Sequence, residues 1–232
     1  MGKDLRELER KTGYRFRDFR LLELAMTHKS YVNEAQMEKY ESNERLEFLG
    51  DAVLELVTSE FLFQDEGNFP EGELTRMRAS IVCEPSLAFC ARELDLGSYL
   101  MLGRGEEATG GRKRDSLTSD GLEALIGAIY MDGGLTSAKE FIHRTVLNDL
   151  EKKKLFFDSK TILQEVVQAR FREQRVSYQL LVEEGPDHNK SFQTAVYIGE
   201  KVYGTGTGHT KKRAEQEAAY RALLALKKRD IK

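Results

Sequence analysis

Apolar residues recur at three- and four-residue intervals through most of the first 150 positions. Leu21, Leu22, Leu24 and Ala25 form one such set, Leu46, Leu49, Val53, Leu54 and Val57 a second, and Leu122, Leu125, Ile126 and Ile129 a third. This spacing lays an apolar stripe on one face of a helix and predicts a mostly helical region. Ser137 and Glu140 have capping-box spacing ahead of Phe141, Ile142 and Val146. Asn68, Pro70 and Gly72 mark a turn. The period then changes. Ser159–Arg172 reads as a helix, whereas Val176–Val182, Phe192–Ile198 and Val202–Gly204 alternate as strands, with turns at Gly185-Pro186-Asp187 and Gly199. From His209 a helix follows, carrying Ala214, Ala218, Ala219, Ala222, Leu223 and Leu226, with Thr210 as N-cap. The pattern predicts an all-α domain over 1–150, a linker over 151–158 where the chain is first charged and then apolar, and a small α-β-β-β-α (α+β) domain over 159–228.

Composition supports two folded domains. The chain has 232 residues, 40% hydrophobic and 32% charged, enough for two separate cores. No run of about 18 apolar residues occurs, which argues against a membrane-spanning helix. Met1–Phe16 has no apolar segment of the kind a secretory signal carries. Cys83 and Cys90 are expected to be free thiols in one helix, as in a reducing compartment, and the four histidines lack zinc-site spacing. These features point to a cytoplasmic protein.

The net charge of −3 conceals an asymmetry. Residues 1–158 carry 22 Lys and Arg against 30 Asp and Glu, and residues 159–226 carry 10 against 8. The acidic part suits multivalent cations, and the basic part suits a polyanion.

The densest chemical signal is Asn43–Asp51, NERLEFLGD. Glu44, Glu47 and Asp51 stand at i, i+3 and i+7, stacked on one helix face, where like charges repel unless solvent, a basic partner, protons or metal ions offset the cost. Asp120 and Glu123 form a second i, i+3 pair at the start of an apolar helix, where Asp120 has a capping role open to it. Two such pairs converging from two helices would make an all-oxygen site for Mg²⁺, with Mn²⁺ as a substitute. Such ions serve phosphodiester cleavage by activating water and stabilising the leaving oxygen. Ordinary solvated acidic faces remain the alternative. Glu71 and Glu73 lie near Arg76 and Arg78, which suits either a salt-bridged surface or phosphate contact. The basic loop Gly110–Arg114 is open to both a phosphate and an exposed-loop reading. His28 and His143 fit core or cap hydrogen bonding better than acid–base work.

In the C-terminal part, Lys211, Lys212 and Arg213 open the last helix, where free N–H groups and lysines favour an anion. The 185–190 loop, with His188, can reach a groove and meet 2′-hydroxyls. Thr161, Gln164 and Glu165 present polar groups from the first helix of this part. Three contacts along one side of a small domain suit duplex RNA, which is read by shape and 2′-OH groups.

These motifs resemble bacterial ribonuclease III over nearly the whole chain. The resemblance rests on Asn43–Asp51, the stretch Leu21–Ser30, EGELTRMRASIV at 71–82, and Asp120–Gly127. Gly185–His188 and Gly206–Glu215 resemble a double-stranded-RNA-binding domain. It implies an endonuclease domain over 1–150 followed by a double-stranded-RNA-binding domain over 159–228. It also implies metal carboxylates at Glu47, Asp51, Asp120 and Glu123, with Asp51 and Glu123 catalytic. Glu44 and Glu71 would serve RNA engagement or site architecture, and Thr161, Gln164, Glu165, His188, Lys211 and Lys212 would contact RNA. Homodimerisation through the N-terminal domain would form a valley with two active centres. The implied products carry 5′-phosphates, 3′-hydroxyls and short 3′ overhangs, and the implied substrates are ribosomal RNA precursors and structured messenger RNAs. Two positions depart from the common pattern: Ala52 replaces a small hydroxyl residue, and Glu215 stands where many binding domains carry a third lysine. A non-cutting RNA-binding regulator and a helical dimerisation protein with incidental acidic faces are the rival readings; zinc-dependent deamination lacks its ligands.

Overall fold

The computed structural model describes residues 4–64, 68–148, 150, 159–171, 174–185, 190–208 and 210–229. The chain divides into two compact units, Met1–Asn148 and Asp149–Lys232. The expected linker over 151–158 lies outside the described residues. Among the described residues no helix is long and apolar enough to cross a membrane.

The described part of the first unit is helical: α1 (Leu5–Thr12), α2 (Phe19–Ala25), α3 (Lys29–Glu34), α4 (Glu44–Phe63), α5 (Glu71–Val82), α6 (Glu84–Glu93), α7 (Arg104–Ala108) and α8 (Asp115–Thr145). Short 3₁₀ turns occur at Lys39–Glu41, Leu96–Ser98 and Gly111–Lys113. The apolar stripes on α4 and α8 are their contact faces. Leu54, Leu122, Leu125 and Ile126 are fully buried there, and each contributes about 1.5–3 kcal/mol of burial energy.

Helix α8 corrects two expectations. It begins at Asp115, so Asp120 lies in its second turn and is not a cap. Its backbone breaks at Gly134, where φ is 77° and glycine has no Cβ to clash. Helical geometry resumes just after that kink. Ser137 therefore lies inside the resumed helix, its hydroxyl donating to the Gly133 carbonyl at 3.1 Å rather than forming a capping box. Cys83 sits in extended backbone at the junction of α5 and α6, not in a helix shared with Cys90. Neither cysteine forms a disulfide, and Cys90 is buried.

The second unit contains α9 (Ser159–Arg170), β1 (Val176–Glu184), β2 (Ser191–Ile198), β3 (Lys201–Gly208) and α10 (Lys211–Arg229). The strands pair antiparallel in the order β1-β2-β3. Leu163 and Val167 of α9, Val196 and Ile198 of β2, and Ala218, Ala219 and Ala222 of α10 close its core. Thr210 caps α10, accepting from the Arg213 amide at 3.2 Å.

β3 runs four residues past its expected end, because the glycine-rich stretch Gly204–Gly208 is strand. Alternate residues of a strand share a face, and Gly204, Gly206 and Gly208 all face α10. A Cβ on any of them would strike Ala218, Ala214 or the backbone beside them. Glycines on the strand and alanines on the helix let the two backbones approach closely.

Candidate functional site

Helices α4 and α8 carry the acidic residues to one place. Carboxylate oxygens of Glu47, Asp120 and Glu123 all lie within 4.8 Å of one another, and each residue is half-buried. Asp51 is exposed one turn further along α4, outside this trio. Glu44 is exposed at the start of α4, and Glu71 is exposed at the start of α5, accepting the Thr75 hydroxyl at 2.9 Å.

Burial and mutual repulsion act together on the trio. Burial pushes the Glu123 carboxyl up to about 8, with the charges of Asp51, Asp120 and Glu47 adding to the effect. Burial also raises Glu47, with Asp120 and Glu44 contributing. Asp120 is raised by burial and then by Glu84 at the start of α6. Three carboxyls held above their ordinary range, so close together, form a cluster that protons or a cation must offset. An oxygen-only donor set without histidine or cysteine fits a hard divalent cation.

Lys29 works against this build-up. Its ammonium meets Glu44 at 3.0 Å and holds that carboxyl below the ordinary range. Its charge also favours ionised Glu47 and Asp120. The roles of Lys29 and Glu84 were invisible to spacing arguments, because each reaches the cluster from a different helix.

Several sequence candidates turn out to be structural. Arg112 in the basic loop donates to the carbonyls of Gly97, Ser98 and Leu100, at 2.7 Å for the last, and pairs with Glu107. Arg114 pairs with Glu106. His28 is buried and caps α3, accepting from the Ser30 amide at 3.2 Å. His143 packs edge-on against Phe61. Arg78 donates to the Ser59 hydroxyl at 2.9 Å and Arg76 to the Gly72 carbonyl at 3.2 Å.

In the second unit, Thr161, Gln164 and Glu165 are exposed on α9, and Lys211 and Lys212 are exposed at the start of α10. His188 lies outside the described residues. Glu215 accepts from Lys160 at 2.6 Å, so the departing residue neutralises a lysine of its own domain.

Comparison with known proteins agrees with both units. Residues 18–150 match the family described as Ribonuclease-III-like, and residues 159–226 match the double-stranded RNA binding motif. Ribonuclease 3 of Caldanaerobacter subterraneus subsp. tengcongensis is 50% identical over 222 residues, covering 94% of this chain and 96% of its own. Ribonuclease 3 of Oceanobacillus iheyensis is 47% identical over 222 residues, covering 95% and 97%. A solved nuclease domain of ribonuclease III from Campylobacter jejuni, described for flexibility in a region involved in dimer formation, superposes with a TM-score of 0.59 at 41% identity. It covers 64% of this chain and 99% of that one.

Proposed function

The chain belongs to the ribonuclease III family and is a double-stranded-RNA endoribonuclease; on that premise we propose that Glu47, Asp51, Asp120 and Glu123 form its Mg²⁺-dependent cutting site, with Mn²⁺ able to substitute. The convergence of Glu47, Asp120 and Glu123 from two helices carries this reading. Asp51 completes the set from the exposed turn beside Glu123. A divalent cation held by these carboxylates would supply Lewis acidity to acidify water and positive charge to stabilise the leaving oxygen. The residues of the chain do the rest. Glu123 gives up its proton on loading, since its carboxyl is pushed up to about 8 and ligation requires the anion. Lys29 holds Glu44 ionised at the rim. Glu44 and Glu71 shape the RNA-facing edge.

RNA is held by the second unit. Thr161, Gln164 and Glu165 of α9 meet one minor groove, the 185–190 loop with His188 meets another, and Lys211 and Lys212 bridge the phosphates between them. The products carry 5′-phosphates and 3′-hydroxyls with short 3′ overhangs, and the cellular substrates are ribosomal RNA precursors and structured messenger RNAs in the cytoplasm. The protein acts as a homodimer through its nuclease domain. Phe48 and Phe63 on α4 are each 80% exposed and Leu56 is 56% exposed, an apolar row that a second copy would cover.

The decisive experiment compares the wild-type chain with Glu123→Gln on end-labelled duplex RNA, with and without Mg²⁺. The expected result is Mg²⁺-dependent cutting of duplex RNA by the wild type only, with RNA binding retained by the variant. Normal turnover by Glu123→Gln would remove it from the site.

A further inference from the structure

We propose that Glu183 is a built-in competitor for RNA phosphate, holding the helix-opening lysine Lys211 and the loop lysine Lys190 until a duplex displaces it. The proposal rests on the reading of Lys211 as a phosphate contact.

Glu183 lies near the end of β1, opposite Phe192 of β2. Its two carboxylate oxygens are shared between two lysines from different parts of the fold. Oε1 meets Lys190 Nζ at 3.1 Å, and Oε2 meets Lys211 Nζ at 3.1 Å. Lys190 closes the loop between β1 and β2, and Lys211 opens α10. The Lys211 ammonium also stands 5.6 Å from the centre of the Phe192 ring, at the end of the sheet beside Glu183.

One carboxylate bridging two ammonium groups is the arrangement that two non-bridging oxygens of a phosphodiester would make. The two lysines also hold the Glu183 carboxyl below its ordinary range, so it stays a full anion at neutral pH. A phosphate approaching Lys211 meets this anion and must take its place. The exchange is feasible because the participants are partly exposed, Lys211 most of all at 58%, and exposed ion pairs are individually weak. Glu183 therefore lowers the affinity of the lysines for any polyanion and leaves tight binding to ligands that also engage α9 and the loop.

Neighbouring Glu184 separates this effect from general charge. It is exposed, opposite Ser191, and on the other face of the strand pleat. The test measures binding of the full chain to duplex RNAs of two unrelated sequences, without divalent cation so that nothing is cut. The variants are Glu183→Gln, Glu184→Gln, Lys211→Ala and the Glu183→Gln/Lys211→Ala double variant. Glu183→Gln is expected to bind both duplexes at least about threefold more tightly, the range set by loss of its exposed ion pair with Lys211, with the pair to Lys190 adding to it. Glu184→Gln should show less than half of that gain, and the gain should fall by at least half when Lys211 is absent. Unchanged or weaker binding by Glu183→Gln, equal gains for the two glutamines, or a full gain without Lys211 would each overturn the proposal. If Lys211→Ala alone leaves binding unchanged, the phosphate-contact reading fails and the proposal falls with it. If Lys211→Ala weakens binding while Glu183→Gln does not tighten it, the proposal alone falls.

Discussion

Gly50 of α4 and Gly127 of α8 meet backbone to backbone. A Cβ on Gly50 would overlap the Glu123 carbonyl oxygen, and one on Gly127 would overlap the Leu46 carbonyl oxygen. Both positions are helical, so neither glycine is needed for its φ. They are needed for distance. Gly50 lies between Glu47 and Asp51, and Gly127 follows Glu123 by one helical turn, so this crossing sets the separation of the acidic residues.

Gly50→Ala or Gly127→Ala should therefore push the helices apart. Overpacking of this kind costs about 1–3 kcal/mol. A lower melting temperature with weaker divalent-cation binding is expected for both variants. Gly72→Ala is the contrast, since a Cβ at Gly72 meets nothing within 4 Å. In helix α5 it should hold or raise the melting temperature, through up to about 1 kcal/mol of added stability. A thermal melt paired with a cation titration checks all three.

The acidic cluster gives a signed pH dependence in cation-free buffer. The Glu123 carboxyl rises from 4.5 when exposed to about 8 when folded. Between those values the folded chain keeps a proton that the unfolded chain has lost, so stability falls as pH rises across that window. Glu47 and Asp120 are shifted in the same direction and add to the fall. Glu123→Gln should flatten the slope, because glutamine does not titrate. Mg²⁺ should raise the wild-type melting temperature most at the upper end of the window. Melts from pH 5 to 9 with EDTA or Mg²⁺ give the comparison, and a wild-type slope of opposite sign would contradict the assigned burial of Glu123.

The exposed apolar row on α4 predicts the oligomeric state. Phe48→Arg places a charge where a second copy would otherwise cover an 80% exposed ring. Burying an unpaired charge is strongly unfavourable, so sedimentation velocity should show a dimer for the wild type and a shift to monomer for the variant. The variant's melting temperature as a monomer should stay close to that of the wild type at high dilution, since Phe48 contributes little to its own core. A dimer of unchanged stability would place the interface elsewhere.

Much of this protein was legible along the chain. The three- and four-residue stripes located α4 and α8, and partial alternation of apolar and polar residues located β1 and β2, because each period reports which side of an element tends to be buried. The i, i+3 spacing of Asp120 and Glu123 and the i, i+7 span of Glu44 to Asp51 named the carboxylates before any geometry was known. Local chemistry also placed the Thr210 cap. The readings that failed were those in which a residue's partner is remote. Arg112 was open to a phosphate or an exposed-loop reading and is neither, since three backbone carbonyls occupy its guanidinium. The third strand was read only to Gly204, because the glycines that extend it to Gly208 carry no alternating apolar signal, and their packing against α10 is seen only once the helix is in place.

The sequence by itself determined the two domains, their helical and α-β-β-β-α character, the family and the identities of the acidic and basic residues. These depend on local period and on motif, which one strand of text contains. Tertiary structure alone decided that Glu47, Asp120 and Glu123 converge while Asp51 stays at the exposed edge, that Lys29 and Glu84 tune them, and that Glu183 binds two lysines of the RNA-facing domain. Each of these is a contact between side chains distant in sequence. Its strength depends on separation and burial, and both come into being only when helices and strands pack.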